Sequence, residues 1–181
     1  DVFDLAEWFP LIFGSLALVY GLATLLNARF IERVGLRRML RLALGGYLVA
    51  ATVFSAIAVA SGGRPPFWLY VAGIVPVLLA HAFTLPNLNS AAMMPMSRVA
   101  GTAAAVIGAV ATLGGAAIGA GIDAAYDSSI TPIAVASLVL VIVAFALARW
   151  SDAVWERDAE RQVLTPEEQA TATAAAPIEV G

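Results

Sequence analysis

With 181 residues, 61% of them hydrophobic and only 13% charged, and a mean hydropathy of +0.87, the sequence lies outside the range of soluble domains. Ten basic residues, all arginine, stand against thirteen acidic ones; the net charge of −3 averages over both faces of a segregated distribution and says little, and nucleic acid is not expected as a partner. There is no cysteine, which excludes disulfides, thiolate metal sites and cysteine nucleophiles together.

The chain opens with Asp1, Asp4 and Glu7 and no basic residue, the wrong charge for a signal peptide, so the start reads as a point inside a longer protein. Asp4 and Glu7 have the spacing of a capping box with Asp in the Ser/Thr position, opening a helix expected over 6–31. Pro10 suits its first turn, where no amide donor is required. On this helix Tyr20, Thr24 and Asn27 share one face, a polar stripe on an apolar surface. Either the stripe lines a passage, or Asn27 caps the following turn and Tyr20 belongs to packing; lipid is the environment that suits neither.

Residues 27–41, NARFIERVGLRRMLR, hold five of the ten arginines (Arg29, Arg33, Arg37, Arg38, Arg41), with Gly35 where a tight reversal needs a residue without Cβ. An arginine at the centre of a span costs about 2.5–3.5 kcal/mol, so this basic loop is expected on the cytoplasmic side of a bilayer. A second helix, 36–61, then runs outward and ends at Ser61-Gly62-Gly63-Arg64-Pro65-Pro66. The third, 66–95, contains Pro76 and Pro86, each of which removes a backbone bond and is expected to bend it. A fourth, 99–124, carries Gly101, Gly108, Gly115 and Gly119, a small-residue ridge suited to close helix packing, with a literal GxxxG at 115–119. After an acidic turn at 123–129 comes a fifth helix, 130–149.

The expected fold is therefore an all-α membrane protein whose first 150 residues form a bundle of five transmembrane helices. Residues 151–181 read as a cytoplasmic tail, first a short amphipathic helix around Trp150, Val154, Arg157, Arg161 and Leu164, then a disordered polar stretch. Five spans put the two ends on opposite sides. With residues 27–41 inside, nine arginines lie inside and only Arg64 outside, so the first residue is external and the last cytoplasmic.

Enzyme chemistry finds no support. No span has Asp, Glu, Lys or Arg in its central part, no cluster has metal-ligand spacing, and no nucleophile has a base nearby. His81 is the one ionisable group well inside an apolar run. It either contacts substrate in a cavity, with Thr84 on the same helix face and Asn87 two turns on, or donates to a carbonyl freed by the proline bends.

At residues 28–40 the pattern Ala28-Arg-Phe-Ile-Glu32-Arg33-Val-Gly35-Leu-Arg37-Arg38-Met-Leu40 resembles the signature loop of the major facilitator superfamily, GxLaDRxGRRxxL, in the degenerate form of the second half. Downstream, Pro86-Asn87-Leu-Asn-Ser-Ala91-Ala-Met, then Ala100-Gly101-Thr-Ala-Ala-Ala and Gly108, resembles the tenth and eleventh spans of the bicyclomycin/chloramphenicol-resistance (Bcr/CflA) drug/proton antiporters. The resemblance covers about residues 1–150 and implies spans eight to twelve of a two-bundle transporter in the bacterial inner membrane. It implies an amphipathic drug-like substrate, a missing first half as partner, and a proton gradient in place of any cofactor. It places the first, third and fourth helices beside the central cavity, with Tyr20, Thr24, His81, Thr84 and Asn87 as candidate lining. The second and fifth helices it places outside, which disfavours Tyr47, Thr52 and Ser55. Glu32, Arg33, Gly35, Arg37 and Arg38 correspond to the loop whose charges brace one closed state. A metabolite or sugar transporter of the same fold, and a non-transporting membrane scaffold, are the alternatives.

Overall fold

The structure, a computed structural model, describes residues 6–162, so the expectations resting on Asp1, Asp4, Leu164 and the last stretch of the chain lie outside it. All secondary structure among the described residues is helical: α1 (Phe9–Val34), α2 (Leu36–Ala60), α3 (Phe67–Met93), α4 (Ala100–Ala124) and α5 (Thr131–Gln162), with short 3₁₀ turns at Ala6–Trp8 and Met94–Val99. Each of the five is long and apolar enough to cross a membrane, the apolar part of α5 being Thr131–Asp152. The chain divides after Phe145 into two units, the first holding α1 to α4 and the start of α5, the second the remainder.

The basic segment is a corner rather than a loop. Helix α1 continues to Val34, so Arg29, Glu32 and Arg33 ride on its last turns, and α2 begins at Leu36 with Arg37, Arg38 and Arg41 on its first. A single residue, Gly35, makes the change of direction at φ 82°, ψ 150°, a backbone conformation that side chains with a Cβ avoid. Its amide still closes α1 onto the Ile31 carbonyl at 2.9 Å, and its carbonyl accepts from the Met39 amide at 3.0 Å. Helix α5 also outruns its expected end at 149, because 148–162 contains neither Gly nor Pro and continues as one helix. Trp150, Val154, Arg157 and Arg161 thus fall within α5.

Helix α2 is the most covered of the five, and its buried face of Ala43, Ala50, Ala51, Phe54 and Ala58 is mostly small. Phe54 packs with Val77 of α3 and with Ile130 and Ala134 at the start of α5. The small residues let backbones close up: a Cβ at Gly73 would sit 2.8 Å from Phe54 Cδ2 and 3.2 Å from Ile57 Cδ1. Pairing Tyr47 with His81 and Phe54 with Tyr70 sets α2 and α3 antiparallel.

The end of α2 is tied to the start of α5. Ser55 Oγ donates to the Ala134 carbonyl at 2.8 Å, the Ile130 amide donates to the Gly63 carbonyl at 2.9 Å, and Arg64 Nε donates to the Ser128 carbonyl at 3.3 Å. Gly63 makes this possible. At φ 78° its backbone lies against Ser129, and an added Cβ would fall 2.7 Å from both Ser129 Oγ and Thr131 Oγ1. By contrast α1 has only Ala23 and Asn27 buried, and α4 only Ala103.

The glycines give a direct stability test. Gly63→Ala combines a clash against the Ser129 and Thr131 side chains with an unfavourable φ and is expected to cost roughly 1–3 kcal/mol in thermal unfolding in detergent micelles. Gly46→Ala, where a new methyl meets nothing within 4 Å, is expected to change stability by less than about 0.5 kcal/mol or to raise it.

Candidate functional site

Three helices bring one polar aromatic residue each to a common place. Tyr20 of α1, Tyr47 of α2 and His81 of α3 all lie near the middle of their helices, about 15–20 Å along each from its start at 1.5 Å per residue. The Tyr47 ring meets His81 edge-on, centroids 5.9 Å apart at 82°, and the Tyr20 ring lies tilted to His81 at 6.0 Å and 37°. These are favourable aromatic geometries that hold the rings without using their polar atoms. Neither phenol oxygen nor either imidazole nitrogen hydrogen-bonds to another described residue, so His81 does not donate to a carbonyl freed by Pro76 or Pro86. Since no enclosed side-chain nitrogen or oxygen among the described residues lacks a partner, these atoms keep some exposed surface.

Towards the basic corner the character changes from open to closed. Asn27 of α1 and Asn87 of α3 are both buried and exchange amide hydrogen bonds, Asn87 Nδ2 to Asn27 Oδ1 at 2.9 Å and Asn27 Nδ2 to Asn87 Oδ1 at 3.4 Å. Asn87 Nδ2 also donates to the Phe83 carbonyl at 2.6 Å. The nearby Phe30 and Phe83 rings lie 6.3 Å apart and cover the same seam. Asn27 therefore joins two helices and does not cap the corner. Thr84 is buried but bonds back to the Ala80 carbonyl at 2.7 Å, and exposed Thr24 bonds back to the Tyr20 carbonyl at 3.0 Å. Of the five candidate lining residues, then, Tyr20 and His81 come together with open polar atoms, while Thr24, Thr84 and Asn87 satisfy the helices themselves.

The other candidate groups are placed as follows. Glu32, Arg33, Arg37 and Arg38 are exposed around Gly35. Gly101, Gly108, Gly115 and Gly119 meet no atom within 4 Å of an added Cβ, so the α4 ridge faces no helix among the described residues, and the close approaches fall at Gly63 and Gly73 instead. Gly119 borders an open depression at the α4–α5 turn, with Ile122, Asp123, Tyr126, Ile130 and Pro132. Among the described residues no three His, Cys, Asp or Glu side chains gather closely enough for a metal ion.

Two features were not singled out by the sequence. The resemblance disfavours Tyr47 together with its helix, although a hydroxyl ring at the midpoint of an apolar run is a signal in its own right. The Asn27–Asn87 partnership spans 60 residues, and its one trace in the sequence is that side-chain amides are rare in such runs. No family model, no curated protein and no solved structure matches this chain.

The amide pair predicts a coupling. Asn87→Ala leaves a buried amide on Asn27 without its partner and is expected to cost roughly 1–3 kcal/mol in unfolding from micelles. The double variant Asn27→Ala/Asn87→Ala is expected to cost less than the sum of the single changes, by about 0.6–1.7 kcal/mol, the range of such interhelical pairs. Strict additivity would show the two amides to be energetically independent.

Proposed function

We propose that this chain is the rear part of a secondary active transporter of the major facilitator type, most similar to the drug/proton antiporters of the bicyclomycin/chloramphenicol-resistance group. It sits in the bacterial inner membrane with the Gly35 corner in the cytoplasm. The observation that carries the reading is one of order. A basic corner, Glu32-Arg33-Val-Gly35-Leu-Arg37-Arg38, separates two spans and is followed by Pro86-Asn87 in the next span and Ala100-Gly101 at the start of the one after.

The arrangement of the helices supports it. In alternating access one bundle rocks against another around a site near the midplane, so the moving half needs a rigid frame and helices with faces left for the partner. Helices α2 and α3 and the start of α5 supply the frame through the Phe54 core and the Gly63 contact. Helices α1 and α4 present long uncovered apolar faces, including Leu11, Leu18, Leu22 and Leu25 on α1 and Val106, Val110 and Leu113 on α4. In this reading the first half of the transporter covers them. The substrate is a small amphipathic compound meeting Tyr20 and His81 at mid-membrane, the proton gradient is the energy source, and no cofactor takes part.

The test is a susceptibility panel on cells with and without the complete gene, repeated with a proton-motive-force uncoupler. Resistance to amphipathic compounds that vanishes with the uncoupler is expected; unchanged susceptibility across the panel would remove the efflux reading. In the same cells Glu32→Gln, which deletes the acidic member of the corner, is expected to lower efflux severalfold at equal expression by shifting the balance of open and closed states. Efflux equal to that of the parent would show the corner to be an anchor and no brace.

A further inference from the structure

We infer that the partly exposed cluster of Tyr20, Tyr47 and His81 recognises planar aromatic compounds that are uncharged and carry their own hydrogen-bonding groups, with Tyr47 of α2 as a specificity-determining residue. The inference rests on the carrier reading above and names the substrate class of its site.

Three observations lead to it. First, the three rings converge from three different helices at mid-span, with centroids 5.9 and 6.0 Å from that of His81, and all three residues are partly exposed, a wall of aromatic surface. A flat ring system laid on that wall gains stacking and edge contacts without requiring any of the three to move. Second, two phenol hydroxyls and an imidazole are accessible at that wall and have no hydrogen-bond partner among the described residues. At the midpoint of a span the side chains are too short to reach the headgroups, and hydrocarbon gives them nothing to bond. A compound with its own donor and acceptor does. Third, no Asp or Glu stands in the central part of any span, the nearest on these three helices being Glu32, twelve residues beyond Tyr20 and at the basic corner. A fixed cation would thus find ring faces and no carboxylate on this side of the site.

Tyr47 matters because of its edge-on contact. It holds the imidazole from the α2 side, and its hydroxyl supplies the third polar atom of the wall, so it sets which ligand groups are matched as well as where His81 sits.

The experiment compares three probes of one shape with the full-length protein in nanodiscs, using fluorescence anisotropy against empty nanodiscs. Acridone is neutral, with an N–H donor and a carbonyl acceptor; N-methylacridinium is a fixed cation; anthracene is apolar. Acridone is expected to bind at least tenfold more tightly than either of the others. Tyr47→Phe and Tyr20→Phe, which keep the rings and so the packing, are each expected to weaken acridone about threefold or more, and His81→Phe about tenfold, while anthracene changes little in any of them. Tighter binding of N-methylacridinium than of acridone would overturn the inference, as would acridone binding indifferent to all three substitutions. If proton-driven efflux persists while acridone does not bind, this inference fails and the carrier reading stands. Acridone binding that depends on His81 and Tyr47 in a protein that transports nothing would uphold the site and dismiss the carrier.

Discussion

A polar group placed in hydrocarbon has only protein to bond to, and each one left alone costs several kcal/mol. Helix α3 shows how the chain meets that condition where it is hardest. Pro86 removes the amide that would have served the Ala82 carbonyl and adds none of its own. Around it the polar side chains satisfy themselves: Thr84, Asn87 and Ser90 each donate a side-chain hydrogen bond to the carbonyl four residues earlier, those of Ala80, Phe83 and Pro86, and none of these is the carbonyl that Pro86 frees. The helix stays continuous from Phe67 to Met93 with two internal prolines. Asn87 does more, since its amide also reaches Asn27 and so links two helices.

The same condition explains how much of the fold was legible. Spans announce themselves, because a backbone that must bond within its own segment has to be helical and a core about 30 Å thick dictates its length. The punctuation was legible too. Gly35, Gly62 and Gly63 all take positive φ at the two corners where the sequence required turns. Boundaries were less so: α1 reaches Val34 and α5 reaches Gln162, since charged residues at a helix end leave the membrane without ending the helix. Which faces meet was hardest. A ridge of Gly101, Gly108, Gly115 and Gly119 announces close packing by composition, yet the tight approaches belong to Gly73 against Phe54 and Gly63 against Ser129, where nothing periodic marks them. Periodicity describes one helix; it carries no information about which partner the fold brings to it.

For the candidate site the division is similar. Tyr20 and His81 stood out because their chemistry is foreign to an apolar run, and they lie together. Thr24, Thr84 and Asn87 stood out for the same reason but turn their polar atoms to the backbone or to Asn27. A hydroxyl on a helix can always bond back one turn, so its presence in a span says little about a cavity. Rings are different. The tyrosine and histidine side chains are too long and flat to fold back onto a carbonyl of their own turn, so their polar atoms must find partners elsewhere, and Tyr47 belonged in that group from the start.

The distribution of charge has a further consequence for how a carrier of this kind would divide its labour. In the proposed reading a substrate and a proton must be handled by the same molecule, and a carboxylate beside the substrate would attract the proton and any cationic substrate to one place. This half keeps Glu32 and its arginines at the corner, Asp123 and Asp127 at the opposite turn, and none of its carboxylates at mid-span. With the Tyr20, Tyr47 and His81 rings offering contact surface and hydrogen bonds, substrate binding can proceed here without a fixed charge to neutralise. In the proposed reading the proton-exchanging carboxylate would then belong to the other bundle, and coupling would arise because both halves must close around a single cavity.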